Sequence, residues 1–225
     1  MTMSYKRISY IYRAARILAV CLTALSAISC DKKGEVYPSM ITKFGDIRTN
    51  ADGVLTDMTI DNGETFLITN TNIKPHRPDT SYRAIIGYVT KSNGTCKEAY
   101  IHSLTGAITL ADSSAQALHH PTGIESMWME GKYINMQLSA KSQGGRHYWG
   151  YCIDRIEQSG ENNRQYAHHH LSIHHNQGND PLSYTETYYC SILLPSLPDF
   201  KQGDTISICV NTFKGMKTWK FNTIH

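Results

Sequence analysis

The stretch of this chain richest in chemically able side chains is His168-His169-His170-Leu171-Ser172-Ile173-His174-His175. Neutral imidazoles bind zinc or copper when several converge. On an extended strand His168, His170 and His174 share one face, and His169, Ile173 and His175 share the other. One expectation is therefore a metal site of His168, His170 and His174, with Asp180 or His147 as a further ligand. Distance argues against it. Residues i and i+2 of a strand lie ~7 Å apart, too wide for simple tetrahedral ligation unless the strand bends. The plainer expectation is a polar strand start, with His174 or His175 held in a turn by Asn176 and Asp180. The segment that follows, Asn176-Gln177-Gly178-Asn179-Asp180-Pro181, has one carboxylate where calcium cages use several. Gly178 and Pro181 mark it as a turn.

Covalent catalysis needs a Ser or Cys activated by a base that a third group orients. The chain has no GxSxG, SxxK or HExxH pattern. Cys152 and Cys190 lie near histidines, but a strand setting favours packing over nucleophilic attack. No catalytic residue is expected, the chain is not expected to be an enzyme, and no cofactor is expected apart from zinc or copper on the histidine face.

The cysteine with the clearest chemistry is Cys30. Residues 1–16 hold Lys6, Arg7, Arg13 and Arg16 and no acid, and a run of small and apolar residues extends from Ile17 to Ser29. That is the pattern of a signal peptide, and it is too short for a membrane span, which needs ~20 apolar residues. Ala27-Ile28-Ser29-Cys30 resembles the bacterial lipobox. Processing there would acylate the Cys30 sulfur and amine, and several acyl chains anchor stably where one is marginal. Of 22 basic and 19 acidic side chains in the whole sequence, removing residues 1–29 takes four basic ones and leaves 18 against 19. A near-neutral chain has no electrostatic case for a nucleic-acid partner. Four further cysteines, Cys96, Cys152, Cys190 and Cys209, allow three pairings, with free thiols buried in strands as the alternative.

The elements that must position these groups are all β. Residues 30–40 are a polar tether with Gly34 and Pro38. Residues 41–110 hold about five short strands, including Gly53–Ile60, Thr65–Thr69 and Tyr82–Thr90, with turns at Asp61-Asn62-Gly63 and Ser92-Asn93-Gly94. They suit an OB-like barrel. Such barrels bind single strands or sugars on aromatic faces. Phe44, Phe66, Tyr82, Tyr88 and Tyr100 are present for that, with core packing as the alternative. Basic residues are sparse there, which favours an oligosaccharide or envelope-protein ligand. Residues 111–125 are small and polar and form a linker, with a short helix considered over 112–118. Residues 126–225 carry about seven strands and suit a β-sandwich. Ile206, Ile208 and Val210 alternate onto one face, Lys214-Gly215-Met216-Lys217 is a tight turn, and Trp128, Trp149 and Trp219 sit in or cap the core. The fold expected is all-β, an N-terminal OB-like barrel followed by a C-terminal β-sandwich.

This pattern resembles the NigD-like lipoproteins of Bacteroides and its relatives. The match rests on Asp61-Asn62-Gly63-Glu64-Thr65 and Tyr82-Arg83-Ala84-Ile85-Ile86-Gly87-Tyr88. It continues in Met127-Trp128-Met129-Glu130-Gly131-Lys132-Tyr133-Ile134-Asn135, in Leu171-Ser172-Ile173-His174-His175-Asn176, in Asp180 and Tyr184, and in the terminal Gly215-Met216-Lys217-Thr218-Trp219-Lys220-Phe221. The resemblance implies an OB-like domain before a β-sandwich, and supplies no catalytic residues. It implies little about activity. The absence of a catalytic motif on a two-domain all-β frame favours an envelope protein of the outer membrane acting by binding or as an accessory, with bacteriocin immunity as an alternative drawn from the family's name. Lipoproteins of this bacterial group reach the cell surface when acids follow the cysteine. Here Asp31 is followed by Lys32 and Lys33, which leans toward the periplasmic face.

Overall fold

The computed structural model describes residues 41–68, 77–90, 96–104, 107–111, 119–161 and 164–223. The signal segment, Cys30, the tether, the turn at Ser92-Asn93-Gly94 and the 112–118 segment lie outside the described residues. So do the side chains of Cys96 and Tyr100.

The first module is a five-stranded antiparallel sheet. Its strands are β1 (Ile41–Thr49), β2 (Leu55–Ile60), β3 (Thr65–Leu67), β4 (Ser81–Thr90) and β5 (Cys96–Leu104), in the order β3-β2-β1-β4-β5. Asp61-Asn62-Gly63 closes the β2–β3 hairpin. Gly63 adopts φ +92°, and the Asn62 side chain accepts the Glu64 N–H, as the sequence leads one to expect. Ile47, Met58, Ala84 and Ile86 are fully buried, with Phe66 and Tyr88 beside them. Packing therefore occupies Phe44, Phe66 and Tyr88, three of the aromatics considered as ligand platforms. No pairing joins β3 to β5 among the described residues, so the sheet is open where a barrel would close. A period of two reveals strands but does not encode whether the two edges meet.

The second module is a β-sandwich of two four-stranded sheets. One has the order β6 (Ala107–Ile108), β11 (Tyr184–Leu193), β8 (Tyr133–Ser142), β7 (Gly123–Glu130). The other has the order β13 (Gly215–Asn222), β12 (Thr205–Thr212), β10 (Arg164–Asn176), β9 (Tyr148–Glu161). Ile206, Ile208 and Val210 face inward as their alternation requires, opposite Ile134, Met136 and Leu138 of β8. The β12–β13 turn is Phe213-Lys214, two residues earlier than the sequence suggests. Gly215, at φ +95°, already belongs to β13. Leu110, His119 and Thr122 bridge to Tyr151, His175 and Thr212, so the chain joins the sandwich before β7 begins. Trp149 and Trp219 pack on the sandwich core, whereas Trp128 meets Phe44 of the first module edge-on at 5.4 Å.

The two modules pack into one compact unit, and among the described residues the buried cation where they meet is Arg83. The Arg83 side chain of β4 is 2% exposed and grips both Asp61 oxygens at 2.6 Å. It also donates to Asn135 at 2.7 Å and Ser191 at 3.1 Å, and its guanidinium lies 3.7 Å over the Tyr133 ring. Asn135 returns a hydrogen bond to Asp61, and the Tyr133 hydroxyl donates to Asp46 at 3.0 Å. Lys132 pairs with Asp46 as well. A buried charge survives only when paired and hydrogen-bonded, and here the fork of one Arg spends its donors across the boundary. β8 is accordingly buried on both faces: Ile134, Met136 and Leu138 pack the sandwich core, and Tyr133 and Asn135 on the other face meet this joint. Tyr133 pays the cost in acidity. Burial, then the neighbouring Asp46 carboxylate, push its phenol far above the usual range.

Candidate functional site

The histidines of β10 alternate as a strand dictates. His169, Ile173 and His175 point into the sandwich and are buried, and His168, His170 and His174 stand on the outer face. The structure brings two of the three expected ligands together. His168 and His170 lie with ring centroids 3.9 Å apart. Lateral leaning of the rings closes the backbone spacing that argued against them. His174 is elsewhere, four residues along the strand, with its ring 6.3 Å from that of His119.

The third group at the pair is Glu157 of β9. Its Oε2 lies 3.2 Å from His170 Nε2 and 4.0 Å from His168 Nδ1. A β-bulge puts it there. In the antiparallel register Leu171 faces Ile153 but His170 faces Arg155, so Asp154 is the extra residue. One inserted residue reverses the alternation of β9, and Arg155 and Glu157 emerge on the outer face opposite His170 and His168. Arg155 Nε holds the other carboxylate oxygen, Oε1, at 2.6 Å. Ser207 of the adjacent β12 bonds His168 Nε2 at 2.8 Å and fixes that ring. The Arg155 hydrogen bond, then the nearby His170 ring, holds the Glu157 carboxyl below the usual carboxylate range. Partial burial, then the neighbouring His170, lowers His168. The His170 Nε2 atom is shielded from solvent and makes no aligned hydrogen bond.

A second constellation lies at the other end of β10. The other two residues considered as ligands, His147 and Asp180, meet here and not at His168. His175 Nδ1 faces the His120 carbonyl at 3.1 Å, which can only accept, so this nitrogen carries the hydrogen and Nε2 is an acceptor. His147 Nδ1 meets that acceptor at 2.9 Å, and His147 Nε2 meets Asp180 Oδ2 at 3.0 Å. His147 thus bridges the His175 ring and the Asp180 carboxylate. Trp149 stacks flat on His175 at 3.9 Å, and Tyr188 stacks on His147 at 5.1 Å. Burial, as the largest cause, drives His175 down to about 4. The Ser142 hydroxyl, ahead of the Gln143 N–H and His147, lowers Asp180. These groups are consumed by one another. The arrangement ties the turn after β10, where Gly178 has φ +61°, to β8 and β9. His169 is tied down through one nitrogen: its Nε2 meets Asp204 at 3.1 Å, and Asp204 also accepts the N–H groups of Ala167 and Lys201.

Cys152, Cys190 and Cys209 are free thiols. Cys152 and Cys209 flank Ser172 on either side of β10, two strand spacings or ~9.6 Å apart, beyond disulfide reach. Burial pushes the Cys190 thiol up to about 12, the opposite of what a nucleophile needs. At one end of the sandwich a cavity of about 330 Å³ opens between β7–β8 and the β12–β13 hairpin. Ile124, Glu125, Ser139, Phe213, Lys217 and Trp219 are among its lining residues. Phe213 is exposed there. Among the described residues no helix is long and apolar enough to cross a membrane.

Sequence reasoning missed Glu157, Arg155 and Ser207 at the histidine pair, because pairing across strands is not written in any one segment. It missed His119 and His120 as partners of β10 for the same reason. The segments carrying the family resemblance have a clear structural meaning: Asp61, Arg83, Lys132, Tyr133 and Asn135 all converge on the joint.

Residues 110–223, 114 of the 225, match the family described as the NigD-like C-terminal beta sandwich domain. No curated protein sequence matches. Three solved structures share the fold across most of both chains. A NigD-like immunity protein from Bacteroides caccae is 24% identical with TM-score 0.57, covering 83% of this chain and 94% of its own. A candidate toxin-related protein from Parabacteroides distasonis is 17% identical with TM-score 0.61, covering 82% and 94%. A candidate lipoprotein from Bacteroides fragilis is 10% identical with TM-score 0.53, covering 81% and 98%.

Proposed function

The chain belongs to the NigD-like family, and from that premise we propose that it is a lipid-anchored envelope protein whose two β modules form one rigid, non-catalytic binding body. The lipobox-like segment ending at Cys30 supports the anchor. Of the two OB-like and sandwich modules expected, the sandwich offers the ligand surface. The observation that carries the reading is the cavity at its end: about 330 Å³ is within the range of small-ligand sites. Its lining joins the aromatic faces of Phe213 and Trp219 to the carboxylate of Glu125 and the hydroxyls of Ser139 and Thr212. Apolar faces beside hydrogen-bonding groups suit a sugar, whose C–H faces stack on rings while its hydroxyls are bonded. The ligand assigned is therefore an envelope glycan, with the anchor in the outer membrane and the protein on its periplasmic face.

Two measurements test this. Cys30→Ser should abolish palmitate labelling and partition into detergent; labelling that persists rejects the anchor. Titration with defined envelope oligosaccharides should show binding that falls at least ten-fold in Phe213→Ala or Trp219→Ala. If no saccharide binds while a photo-crosslinker at Phe213 traps one envelope protein, the glycan reading is wrong and a protein ligand replaces it. An immunity role is favoured by the name of the Bacteroides caccae relative, and a bacteriocin as its object by the family's name alone. A deletion strain with unchanged bacteriocin sensitivity rejects it.

A further inference from the structure

We infer that Glu157, His168 and His170 form a divalent metal site on the outer face of the β9–β10 pair, with zinc as its best probe. The three side chains each offer one ligand atom, and these atoms all lie within 4.8 Å of one another. Two ligand atoms ~2.1 Å from one zinc at a tetrahedral angle sit about 3.4 Å apart. The distances of 3.2 Å and 4.0 Å from Glu157 Oε2 to the two imidazoles bracket that value. A small rotation of His168 or Glu157 reaches it.

The surroundings are organised around these atoms. Ser207 at 2.8 Å can accept from His168 Nε2, which leaves the Nδ1 lone pair turned toward Glu157. That is the role of the outer partner which orients most metal-bound histidines. Arg155 binds Oε1 of Glu157 and leaves Oε2 for the site. His170 Nε2 is shielded from water and has no aligned donor or acceptor, yet it lies 3.2 Å from a carboxylate oxygen. That spacing is close to what two ligand atoms of one zinc ion require. The bulge at Asp154 is what makes this arrangement, since without it Glu157 would point into the sandwich. Two imidazoles and one carboxylate suit zinc or copper(II) over calcium or magnesium, and three ligands leave one position open. The Arg155 guanidinium opposes a second positive charge, but it is 60% exposed and screened.

The test is isothermal titration of full-length protein, purified without a histidine tag, with zinc chloride alone. One zinc per chain is expected. His168→Ala and His170→Ala should each abolish saturable binding. Glu157→Gln should weaken it ten- to a hundred-fold, as should Ser207→Ala by releasing His168. His174→Ala should leave it unchanged. Glu157 is exposed, so the Gln variant folds even if a histidine variant does not, and far-UV circular dichroism checks each. Wild-type protein that takes up no zinc to 1 mM overturns the inference. Binding retained in both histidine variants overturns it too, as does loss of binding in His174→Ala.

Discussion

Replacing Arg83 by Met should unlock the two modules. The substitution keeps most of the apolar stem but removes every donor of the guanidinium. Asp61, 2% exposed, would lose both 2.6 Å bonds, and Asn135 and Ser191 would lose theirs. Asp61 would keep only the Asn135 amide. Breaking a buried ion pair from one side costs about 3–5 kcal/mol, because the remaining charge stays desolvated. For a chain of this size that lowers the melting temperature by about 6–20 °C. The assay is urea and thermal unfolding in a Trp149→Phe, Trp219→Phe background, where Trp128 alone fluoresces, followed by that fluorescence and by circular dichroism. Wild type should unfold in one step, and Arg83→Met in two, with the Trp128 signal moving first because it reports the Phe44 contact. The double variant Arg83→Met with Asp61→Leu should recover much of the loss, since an apolar pair leaves no orphan charge. An Arg83→Met protein within 1 kcal/mol of wild type, still melting in one step, would refute the claim that this cation holds the joint.

Gly131→Ala tests the same boundary by sterics. A Cβ there would run into the Asp61 carbonyl, and the residue sits at φ +58°, so a loss of about 1–3 kcal/mol in urea unfolding is expected, where an unchanged midpoint would contradict the close approach. Acid should destabilise the fold through His175. Its pKa falls from 6.5 unfolded to about 4 folded, so the unfolded chain binds the extra proton between those values. Stability therefore rises as pH climbs from 4 to 6.5, by up to about 3 kcal/mol, and is lost on acidification. Asp180, lowered below 3.8, withdraws its own contribution only below that pH. A flat stability profile from pH 4 to 6.5, or one unchanged in His175→Gln, would count against this. N-ethylmaleimide at pH 8 should leave Cys190 unmodified in native protein and modify it in urea, as read by peptide mass mapping; native labelling of Cys190 would contradict its burial.

Much of the architecture could be read from residue order. Alternation at Ile206, Ile208 and Val210, and the Asp61-Asn62-Gly63 hairpin, are local patterns with local causes, and both stand as expected. The even and odd faces of the histidine strand were legible too, since a strand's period is fixed. What could not be read is what lies across from each face. The bulge at Asp154 reverses the parity of half a strand and delivers Glu157 to His168, and no periodicity announces it. The Arg83 joint was visible only as resemblance: Asp61 and Asn135 are 74 positions apart, and a family-like motif does not say which motif it touches. Whether β3 and β5 meet is likewise a matter of curvature, not of pattern.

The position of β1 in its sheet has a mechanical consequence. It is the first described strand, and it lies in the middle of its sheet, paired with β2 on one side and with β4 on the other. A tug transmitted along the polypeptide from its amino end therefore arrives at an interior strand. An edge strand would peel away one bond at a time. An interior strand must slide past two neighbours together, so tension is shared over both ladders at once.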